Sequence, residues 1–595
     1  MSDNYWGKYW SKQTNRRRLL GGAGVAGAGI AALGLVGCGD DDNGGGGLGN
    51  LATPTSAAGA KPTAVDPFAG AKTGGTYRDQ TTAEPPSIDP YGSASFTTKV
   101  FSCWVYSRLM MYKTGPGIPA ASTRPTGDSA ETMEISPDVM KYTFKLRKGL
   151  KFHDVAPVSG RAVTTDDVKF SYGRATEAKN PNQGRLTSTI DKVEYPDAST
   201  IVMSLKAPDV TISDLMADAN LLWIMPTESG TAALNPATKA IGSGPWLFKS
   251  YTPSVGFKFD RNPAWWNQPY PLMAGVEYAI IPDYPTRLAQ FLAGNTDIVG
   301  VDTPDDLGPI KDKIKGVQLY GGIAQLVAYL YFDGNDPANP WTKDDRVRQA
   351  ISMAQDRDAL LDLGYNLKKL KAAGIDVKGP WNNVIPAGMT RFWLDPQSKD
   401  MGDSAKYFKY DPQGAKELLK QAGYPDGFST TYQYSANAYG KAFNDTAEAV
   451  INFTNAIGVK TTTDVQDYSS KYLPQTFQAG NFKGMAYGYE TPFPEASGYV
   501  QRLFTDNPSN HSKIKDSVLA DLTKKQQVEV NDEKRKQILW DIQRENAKHM
   551  YYIPMPHGGG TAWSAAHPYL KNVYDFLAPG YGGPTETVPY VWVNK

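Results

Sequence analysis

Residues 142–152 read YTFKLRKGLKF, and residues 164–174, shortly after them, read TTDDVKFSYGR. In the first stretch apolar and polar residues alternate on both sides of Gly149, which predicts a β-hairpin with one side facing solvent. In the second stretch Thr164 or Thr165 can cap a helix that carries two aspartates in its first turn, where the helix dipole favours acidic side chains. Strands followed closely by a capped helix indicate a protein that mixes both kinds of element.

Three later segments carry the same helix signals. Asp411 precedes a proline and an apolar stripe that ends at Gly423, which predicts a capped helix with a glycine stop. Asp344 or Asp345 begins a second helix, and Asn531 can cap a long third one. No tandem repeat of fixed period interrupts this alternation. We therefore predict an α/β fold with mixed sheets for the body of the chain.

The length and composition of the chain exclude several classes of protein. Its 595 residues exceed the roughly 100–200 residues of a typical single domain. Lysine and arginine number 62 against 61 aspartates and glutamates, so the near-neutral chain has no electrostatic footprint for nucleic acid. With two cysteines, a disulfide-rich scaffold and a metal site built from several cysteines are both excluded.

The N-terminal segment has the pattern of an export signal. Arg16 and Arg17 precede an apolar run rich in glycine and alanine, which is typical of a signal peptide and too short and glycine-rich for a good membrane-spanning anchor. The run ends at Cys38 in a sequence that resembles the lipobox of bacterial lipoproteins, whose cysteine receives a lipid. The arginine pair resembles a twin-arginine export signal, with the general secretory route as the alternative. We predict a signal peptide over residues 1–37 and a flexible, lipid-anchored tether over residues 38–73.

The sequence carries no recognisable catalytic or metal-binding motif. The five histidines are scattered without a ligand spacing such as H-E-x-x-H. A nucleophile elbow of the form G-x-S-x-G is also absent from the sequence. Cys103 is expected to be a small buried apolar residue rather than a nucleophile. We therefore expect no enzymatic activity, no cofactor and no metal.

Ordered blocks of sequence along the body include GGTYR and EPPSIDP near its start, the two stretches quoted first, and IGSGPW further on. Together they resemble one family, the bacterial extracellular solute-binding proteins of family 5, which are the receptors of ABC importers for oligopeptides, dipeptides and nickel. Each block alone is weakly specific, but their shared order over the whole body is highly specific. The matching blocks are residues 74–90, 142–174, 241–266, 280–298, 345–360 and 410–428.

This resemblance implies a two-lobed periplasmic-binding-protein fold of class II, in the large variant with an extra subdomain on the first lobe. The lobes of such proteins close over a ligand about a hinge. The chain would cross between the lobes near Tyr329–Asp333 and near Ile553–His557. The implied segments are 74–116, 236–328 and 556–595 for the first lobe, 117–235 for its extra subdomain and 329–555 for the second lobe.

Residues 485–496, MAYGYETPFPEA, carry the binding-site prediction. In peptide-binding members of the family this segment commonly reads W-x-x-D followed by D-P, where the tryptophan packs on the ligand and the aspartate holds its α-amino group. By position, Tyr487 stands for that tryptophan, Glu490 for the aspartate and Phe493 for the aspartate of the D-P pair. With Tyr489, these residues are the predicted ligand contacts, in surroundings that suit a peptide, a sugar or an amine. The alternative is that Glu490 pairs with an arginine of the core.

The resemblance implies a non-enzymatic receptor that captures a small solute and delivers it to an inner-membrane ABC permease. The solute would be an oligopeptide, a dipeptide, a sugar or a metal chelate. The receptor would be a monomer, held by its lipid at the outer face of the cytoplasmic membrane or in the periplasm, and would have no nucleic-acid partner. Two alternatives stay open: a surface-anchored hydrolase of polysaccharide or peptidoglycan, for which paired carboxylates could serve, and a sensory receptor of the same fold without a transport role.

Overall fold

The computed structural model describes residues 66–594, except residues 94, 121, 181, 324, 438, 440, 491–492, 494, 507–509 and 557–558. The predicted export signal with Arg16 and Arg17, the lipidation site Cys38 and most of the tether lie outside the described residues. Among those described, no helix is both long enough and apolar enough to span a membrane.

Strands and helices alternate along the described chain, which confirms the predicted α/β class. The strands are β1 (Thr76–Thr81), β2 (Met110–Met111), β3 (Thr126–Gly127), β4 (Ala130–Ile135), β5 (Lys141–Leu146), β6 (Ile190–Asp197), β7 (Thr200–Leu205), β8 (Trp246–Thr252), β9 (Gly256–Arg261), β10 (Gly275–Ile280), β11 (Ile298–Val301), β12 (Gln318–Ile323), β13 (Ala328–Phe332), β14 (Phe428–Tyr434), β15 (Val459–Val465), β16 (Met485–Tyr489), β17 (Tyr552–Met555), β18 (Gly559–Ala566), β19 (Leu570–Lys571) and β20 (Trp592–Val593).

The α-helices are α1 (Phe96–Val105), α2 (Thr165–Ala175), α3 (Gln183–Thr189), α4 (Ile212–Ala217), α5 (Tyr284–Leu292), α6 (Leu307–Lys313), α7 (Pro340–Lys343), α8 (Asp345–Met353), α9 (Arg357–Tyr365), α10 (Leu367–Ala372), α11 (Pro412–Gln421), α12 (Lys441–Ala456), α13 (Ala496–Phe504), α14 (Ser517–Val528), α15 (Asp532–His549) and α16 (Gly583–Glu586). Tighter 3₁₀ turns and one π-helical segment complete the helical part, at Thr227–Gly230, Pro304–Asp306, Lys399–Phe408, Val588–Tyr590 and Tyr468–Gln478.

The capping residues predicted from the sequence begin their helices. Asp344, Asp411 and Asn531 each accept a hydrogen bond from a main-chain N–H in the first turn of α8, α11 and α15, respectively. Thr164, rather than Thr165, caps α2, where Asp167 reaches back to the Thr164 N–H at 2.9 Å and forms a capping box. Local side-chain chemistry therefore sets where these helices begin.

The two larger sheets in the segments assigned to the first lobe have four and three strands. The strands β1, β10, β9 and β8 are neighbours in that order, with β1 parallel to β10 and the other pairs antiparallel. Near the C terminus, β18 pairs antiparallel with both β11 and β12. Helix α1 packs on the first of these sheets through Phe101 and Trp104, whose rings both contact the ring of Phe259. Cys103 in the same helix is fully buried, as predicted.

The antiparallel sheet β4-β5-β7-β6 contains the first stretch quoted above. In β5, Tyr142 and Phe144 are fully buried, and Gly149 turns the chain with a φ of 75°, as the alternation predicts. The predicted hairpin is wrong, because β5 pairs with β4 and β7 and not with the residues after Gly149. The residues after Gly149 form a single bridge instead, between Lys151 and Ala162. Alternation fixes the buried face of a strand but does not identify its neighbour.

The sheet β15-β14-β16-β13-β17 separates two hydrophobic clusters. Successive side chains of a strand point to opposite faces. Leu330 and Phe332 of β13 accordingly belong to one cluster, and Tyr329 and Tyr331 to the other. On β16, Tyr487 lies on the face of Leu330. Helix α12 packs into the first cluster and α13 into the second, so the two helices cover opposite faces of the sheet.

The two segments predicted to cross between the lobes lie next to each other. Strands β13 and β17 pair antiparallel, with Tyr329 opposite Pro554. Both ends of the segment 329–555 therefore lie in one sheet. His557, at the end of the second predicted crossing, lies outside the described residues. The lobe boundaries given by the resemblance stay a prediction.

Candidate functional site

A cavity of about 380 Å³ lies between two walls that are distant in sequence. One wall consists of side chains from residues 185–215 and the other of side chains from residues 493–505. The first range falls in the predicted extra subdomain and the second in the predicted second lobe. The volume is within the range of about 300–1,000 Å³ that is usual for small-molecule sites. This space, called here the cleft cavity, lies where a ligand between two lobes would be held.

The first wall carries two carboxylates that have no cationic side chain within ion-pair distance among the described residues. Asp209, before α4, accepts hydrogen bonds from the N–H and the hydroxyl of Thr211 at 2.8 and 2.7 Å. Asp214, in α4, accepts from the hydroxyls of Tyr112 and Ser213, both at 3.3 Å. Burial raises the pKa of Asp214 to about 6 and also raises the pKa of Asp209. The Asp214 carboxyl is ionised above that pH, and Arg185 on the same wall is bound to Asp218 at 3.0 Å.

The second wall is helix α13 and the residues just before it. Glu495 caps the helix, and one of its oxygens binds Arg535 at 2.6 Å. Phe493 contacts Tyr499 edge to face, with 5.0 Å between the ring centroids. A Cβ atom at Gly498 would lie 2.5 Å from the Phe493 ring, so this glycine allows the ring to lie directly against the helix. The wall is therefore shaped by a close ring-to-backbone contact.

Glu490 lies behind this wall and binds two side chains at once. One carboxylate oxygen is 3.0 Å from Nε of Arg502, and the other is 3.0 Å from Nε2 of His511. The Glu490 side chain is fully buried, whereas the Arg502 side chain is 16% exposed and lines the cleft cavity. The structure agrees with the alternative in which Glu490 pairs with an arginine. The guanidinium, and not the carboxylate, reaches the cavity.

Two of the predicted contact residues lie away from the cleft cavity. Tyr487 and Tyr489 are two positions apart in β16, and both rings contact Phe443 of α12 with centroid distances of 5.0 Å. Burial raises the pKa of Tyr489 to about 12. Contact of these tyrosines with a ligand stays a prediction. Of the other two predicted residues, Phe493 lines the cavity directly and Glu490 supports it through its arginine partner.

Contacts beside the cavity join its two sides. The N–H of Val210 donates to the carbonyl of Gln527 at 2.9 Å. Arg124 lies 2.5 Å from a carboxylate oxygen of Asp532, and Arg391 lies 2.6 Å from the same oxygen. Asp532 is the first residue of α15, where the helix dipole favours an acidic side chain. The predicted extra subdomain therefore contacts the predicted second lobe directly.

One group in the described part of the chain has a spacing that suits a metal ion. Asp516, Glu545 and His549 place one potential ligand atom each within 4.8 Å of one another. The His549 ring is already hydrogen-bonded through Nδ1 to Asp345 and through Nε2 to Glu545, the latter at 3.0 Å. Asp516 caps α14 and accepts from the hydroxyl of Tyr551 at 3.0 Å. A metal ion would have to displace these hydrogen bonds, and the group does not line the cleft cavity.

Sequence reasoning missed the charged residues that line the cleft cavity. Asp209, Asp214 and Arg502 are not among the predicted contacts, because they lie between or after the blocks that carry the family resemblance. The sequence around each of these residues resembles the sequence around ordinary charged surface residues. Their proximity is a property of the folded chain, which brings together segments far apart in sequence.

Known proteins resemble this chain in sequence. The family model described as "Bacterial extracellular solute-binding proteins, family 5 Middle" matches residues 124–511. Heme-binding protein A of Haemophilus influenzae is 30% identical over 401 residues, which cover 64% of this chain and 68% of that protein. The dipeptide-binding protein of Escherichia coli K12 is 28% identical over 366 residues, covering 58% of this chain and 63% of that protein.

A solved structure gives the same fold. The structure of HbpA2 from Haemophilus parasuis matches with a TM-score of 0.73 and 21% identity, over 88% of this chain and 100% of that chain. At this identity the likeness concerns the fold alone. It confirms the predicted class, a binding-protein fold with mixed sheets.

Proposed function

The chain belongs to family 5 of the bacterial extracellular solute-binding proteins, and from this premise we propose that it is the lipid-anchored receptor of an ABC importer. It captures a small solute between two lobes and delivers it to a permease in the membrane. The solute contacts both lobes only in the closed form, so binding shifts the population of the receptor towards that form. The permease then distinguishes the loaded receptor from the empty one.

The charge distribution in the cleft cavity is the observation that supports this proposal most. Asp209 and Asp214 line one wall without a cation at ion-pair distance in the described part of the chain, whereas Arg502 on the other wall already has a carboxylate partner. Arg124, Arg391 and Arg535 act on the Asp214 carboxylate from beyond ion-pair distance, which leaves room for a direct cationic partner. A solute with a positively charged group would supply the missing partner and form charge-assisted hydrogen bonds.

We infer that the solute carries an ammonium group, as the N terminus of a peptide does. Two relatives are a dipeptide-binding protein and a heme-binding protein, and of these two ligands only the dipeptide carries an ammonium group. This inference moves the expected cation contact from Glu490, whose two oxygens are both used, to the opposite wall. A neutral sugar would leave Asp209 and Asp214 unpaired.

Titration calorimetry with a matched pair of ligands tests this assignment. The probes are the dipeptide Ala–Phe and its N-acetyl derivative, which lacks the ammonium charge. At pH 7.5 the acetylated form is expected to bind roughly tenfold to hundredfold more weakly, because a hydrogen bond to a charged group contributes about 1.5–3 kcal/mol. Asp214→Asn is expected to lose a similar factor for Ala–Phe and to bind the acetylated form as the wild type does.

Asp191→Asn is the matched control, since Asp191 is exposed and does not line the cleft cavity. This variant is expected to bind Ala–Phe with the affinity of the wild type. Equal affinities of the wild type for the two ligands would overturn the ammonium assignment. If Ala–Phe, its acetylated form and heme all failed to bind, the protein would not be a receptor for peptides or heme.

The anchor is part of the same proposal. A lipid on Cys38 would keep the receptor beside its permease, and Cys38→Ala removes the thiol that the lipid would join. Label from a radiolabelled fatty acid should therefore be absent from the variant in cells, whereas equal labelling of variant and wild type would refute the anchor. Replacing Arg16 and Arg17 together by lysine should block export by the twin-arginine route. Normal processing of that variant would indicate the general secretory route.

A further inference from the structure

A second cavity, of about 100 Å³, lies inside the segments assigned to the first lobe. Its lining comes from residues 77–104, 278–320 and 564–588, and none of these residues lines the cleft cavity. Aromatic and aliphatic side chains dominate the lining, and Asp79 is its only acidic residue. This space, called here the inner cavity, therefore combines apolar walls with one carboxyl group.

The carboxylate of Asp79 has only neutral hydrogen-bond donors among the described residues. These are the N–H of Gln80, at 2.7 Å, and the hydroxyl of Tyr77. Arg287, the only cationic side chain of the lining, is bound to Asp302 at 2.8 Å and to main-chain carbonyls. Burial raises the pKa of Asp79 to about 7, because the ionised form is poorly solvated and has no counter-ion.

Two aromatic pairs form much of the remaining lining. The ring centroids of Trp104 and Tyr278 lie 5.6 Å apart. The rings of Tyr320 and Tyr574 stack with centroids 4.7 Å apart and an angle of 16° between their planes. The faces of aromatic rings carry negative potential and attract cations. Aromatic rings beside a carboxylate are the surroundings in which organic ammonium ions are bound.

Several buried polar atoms of this lining have no hydrogen-bond partner among the described residues, and two of them carry the argument. Oε1 of Gln80 and the hydroxyl of Tyr320 have no hydrogen-bond partner among the described residues. Both residues line the inner cavity. A primary ammonium group has three N–H donors and no acceptor, so it matches a set of unused acceptors beside a carboxylate. A quaternary ammonium group has no N–H and would leave them unused.

We propose that the inner cavity is a second binding site, separate from the cleft cavity, for a small primary ammonium ion whose charge Asp79 neutralises and whose alkyl part the aromatic rings enclose. The ion supplies the counter-charge that Asp79 lacks within the chain. The size of the cavity restricts the ligand to a few non-hydrogen atoms, since one water molecule occupies about 30 Å³ in the liquid.

Propylammonium chloride is the probe for this site, and 1-propanol is its neutral counterpart of similar size. At pH 8 the full chain is expected to bind propylammonium saturably in calorimetry and to show no binding of 1-propanol. Asp79→Asn keeps the shape of the side chain and removes its charge, and it is expected to weaken binding roughly tenfold or more. Asp191→Asn, at an exposed residue that lines neither cavity, is expected to bind propylammonium as the wild type does.

Three results would each overturn the proposal: no binding to the wild type, equal binding to the wild type and Asp79→Asn, or loss of binding in Asp191→Asn. If Asp79→Asn fails to fold, Tyr320→Leu provides the test, because it removes one aromatic ring and leaves the carboxylate in place. A loss of about threefold or more in propylammonium affinity supports the site. Unchanged affinity of Tyr320→Leu overturns it.

Discussion

Glu490 holds two side chains, Arg502 and His511, each 3.0 Å from one of its carboxylate oxygens. The Glu490 side chain is fully buried, and its charge is stabilised by these two partners. Glu490→Gln is expected to lower the free energy of unfolding by about 1–3 kcal/mol, since a charged group loses its charged partner. Urea denaturation measures this difference.

The matched control for that variant is Glu194→Gln. Glu194 pairs with Lys192 at 2.7 Å on the exposed surface of β6, where solvent screens the interaction. The control is expected to unfold close to the wild type. If Glu490→Gln were as stable as Glu194→Gln, the pair of Glu490 with Arg502 would not be important for the fold.

His549 gives the protein a stability that depends on pH. Its hydrogen bond to Asp345, and the charges of Asp345 and Glu545, raise the pKa of the imidazole above its usual value. A raised pKa means that the folded state binds the proton more tightly, so this contribution is complete below the unfolded pKa of about 6.5 and is lost as the pH rises through the folded pKa. The stability difference between the wild type and His549→Gln should therefore shrink between pH 6 and pH 9 in urea titrations. A difference that grew with pH would contradict the sign of this effect.

The site residues show what one sequence can and cannot predict. The family motif placed Glu490 among the predicted ligand contacts, and in the structure its carboxylate is buried and pairs with Arg502, as in the alternative. Asp209 and Asp214 were beyond prediction, because their importance comes from facing α13 across a cavity. Tyr487 and Tyr489 are two positions apart in β16, so both lie on the face of the sheet that α12 covers. This shared face could have been predicted from the sequence if the strand had been placed to end at Tyr489.

Helix α13 forms a wall of the cleft cavity, and Gly498 within it has a steric role. Alanine normally stabilises a helix interior by about 0.5–1 kcal/mol relative to glycine. At Gly498, however, the new Cβ would lie 2.5 Å from the Phe493 ring and would force it to move. Gly498→Ala is therefore expected to destabilise the protein by about 1–3 kcal/mol, as overpacking does, and to weaken Ala–Phe binding. Thermal unfolding and calorimetry measure the two effects.

Gly308→Ala in α6 is the matched control for this helix substitution. A Cβ atom at Gly308 meets no atom within 4 Å, so only the helix preference of alanine remains. The control is expected to be as stable as the wild type or about 0.5–1 kcal/mol more stable. Equal stabilisation by the two substitutions would show that the Phe493 ring does not constrain α13.

Helices were more predictable than sheets for a physical reason. The caps of α8, α11 and α15 are local signals, carried by Asp344, Asp411 and Asn531 beside the turns that they begin. The strand β5 was predicted by its alternation, but its partners β4 and β7 could not be read from that pattern. Strand pairing joins segments that are separate in the chain, so the hairpin prediction failed where non-local information was required.

At the scale of the whole molecule, Arg124 and Asp532 connect residues 117–235 with residues 329–555 across the cleft, at 2.5 Å. Arg124→Ala removes this contact and is expected to increase the radius of gyration of the protein without ligand, because open forms become more populated. Solution X-ray scattering measures this increase, and saturating Ala–Phe is expected to reduce the radius of gyration again. Lys192→Ala, which alters only an exposed pair in the same segment, is the control. Identical scattering of Arg124→Ala and the wild type would show that this contact does not hold the lobes together.

We expect a solute with an ammonium group to bind between α4 and α13. A crystal structure of the protein saturated with Ala–Phe tests it most directly. Dipeptide density is expected in the cleft cavity, with the ammonium nitrogen within about 3.2 Å of a carboxylate oxygen of Asp209 or Asp214. Dipeptide density elsewhere, with the cleft cavity free of ligand, would contradict it.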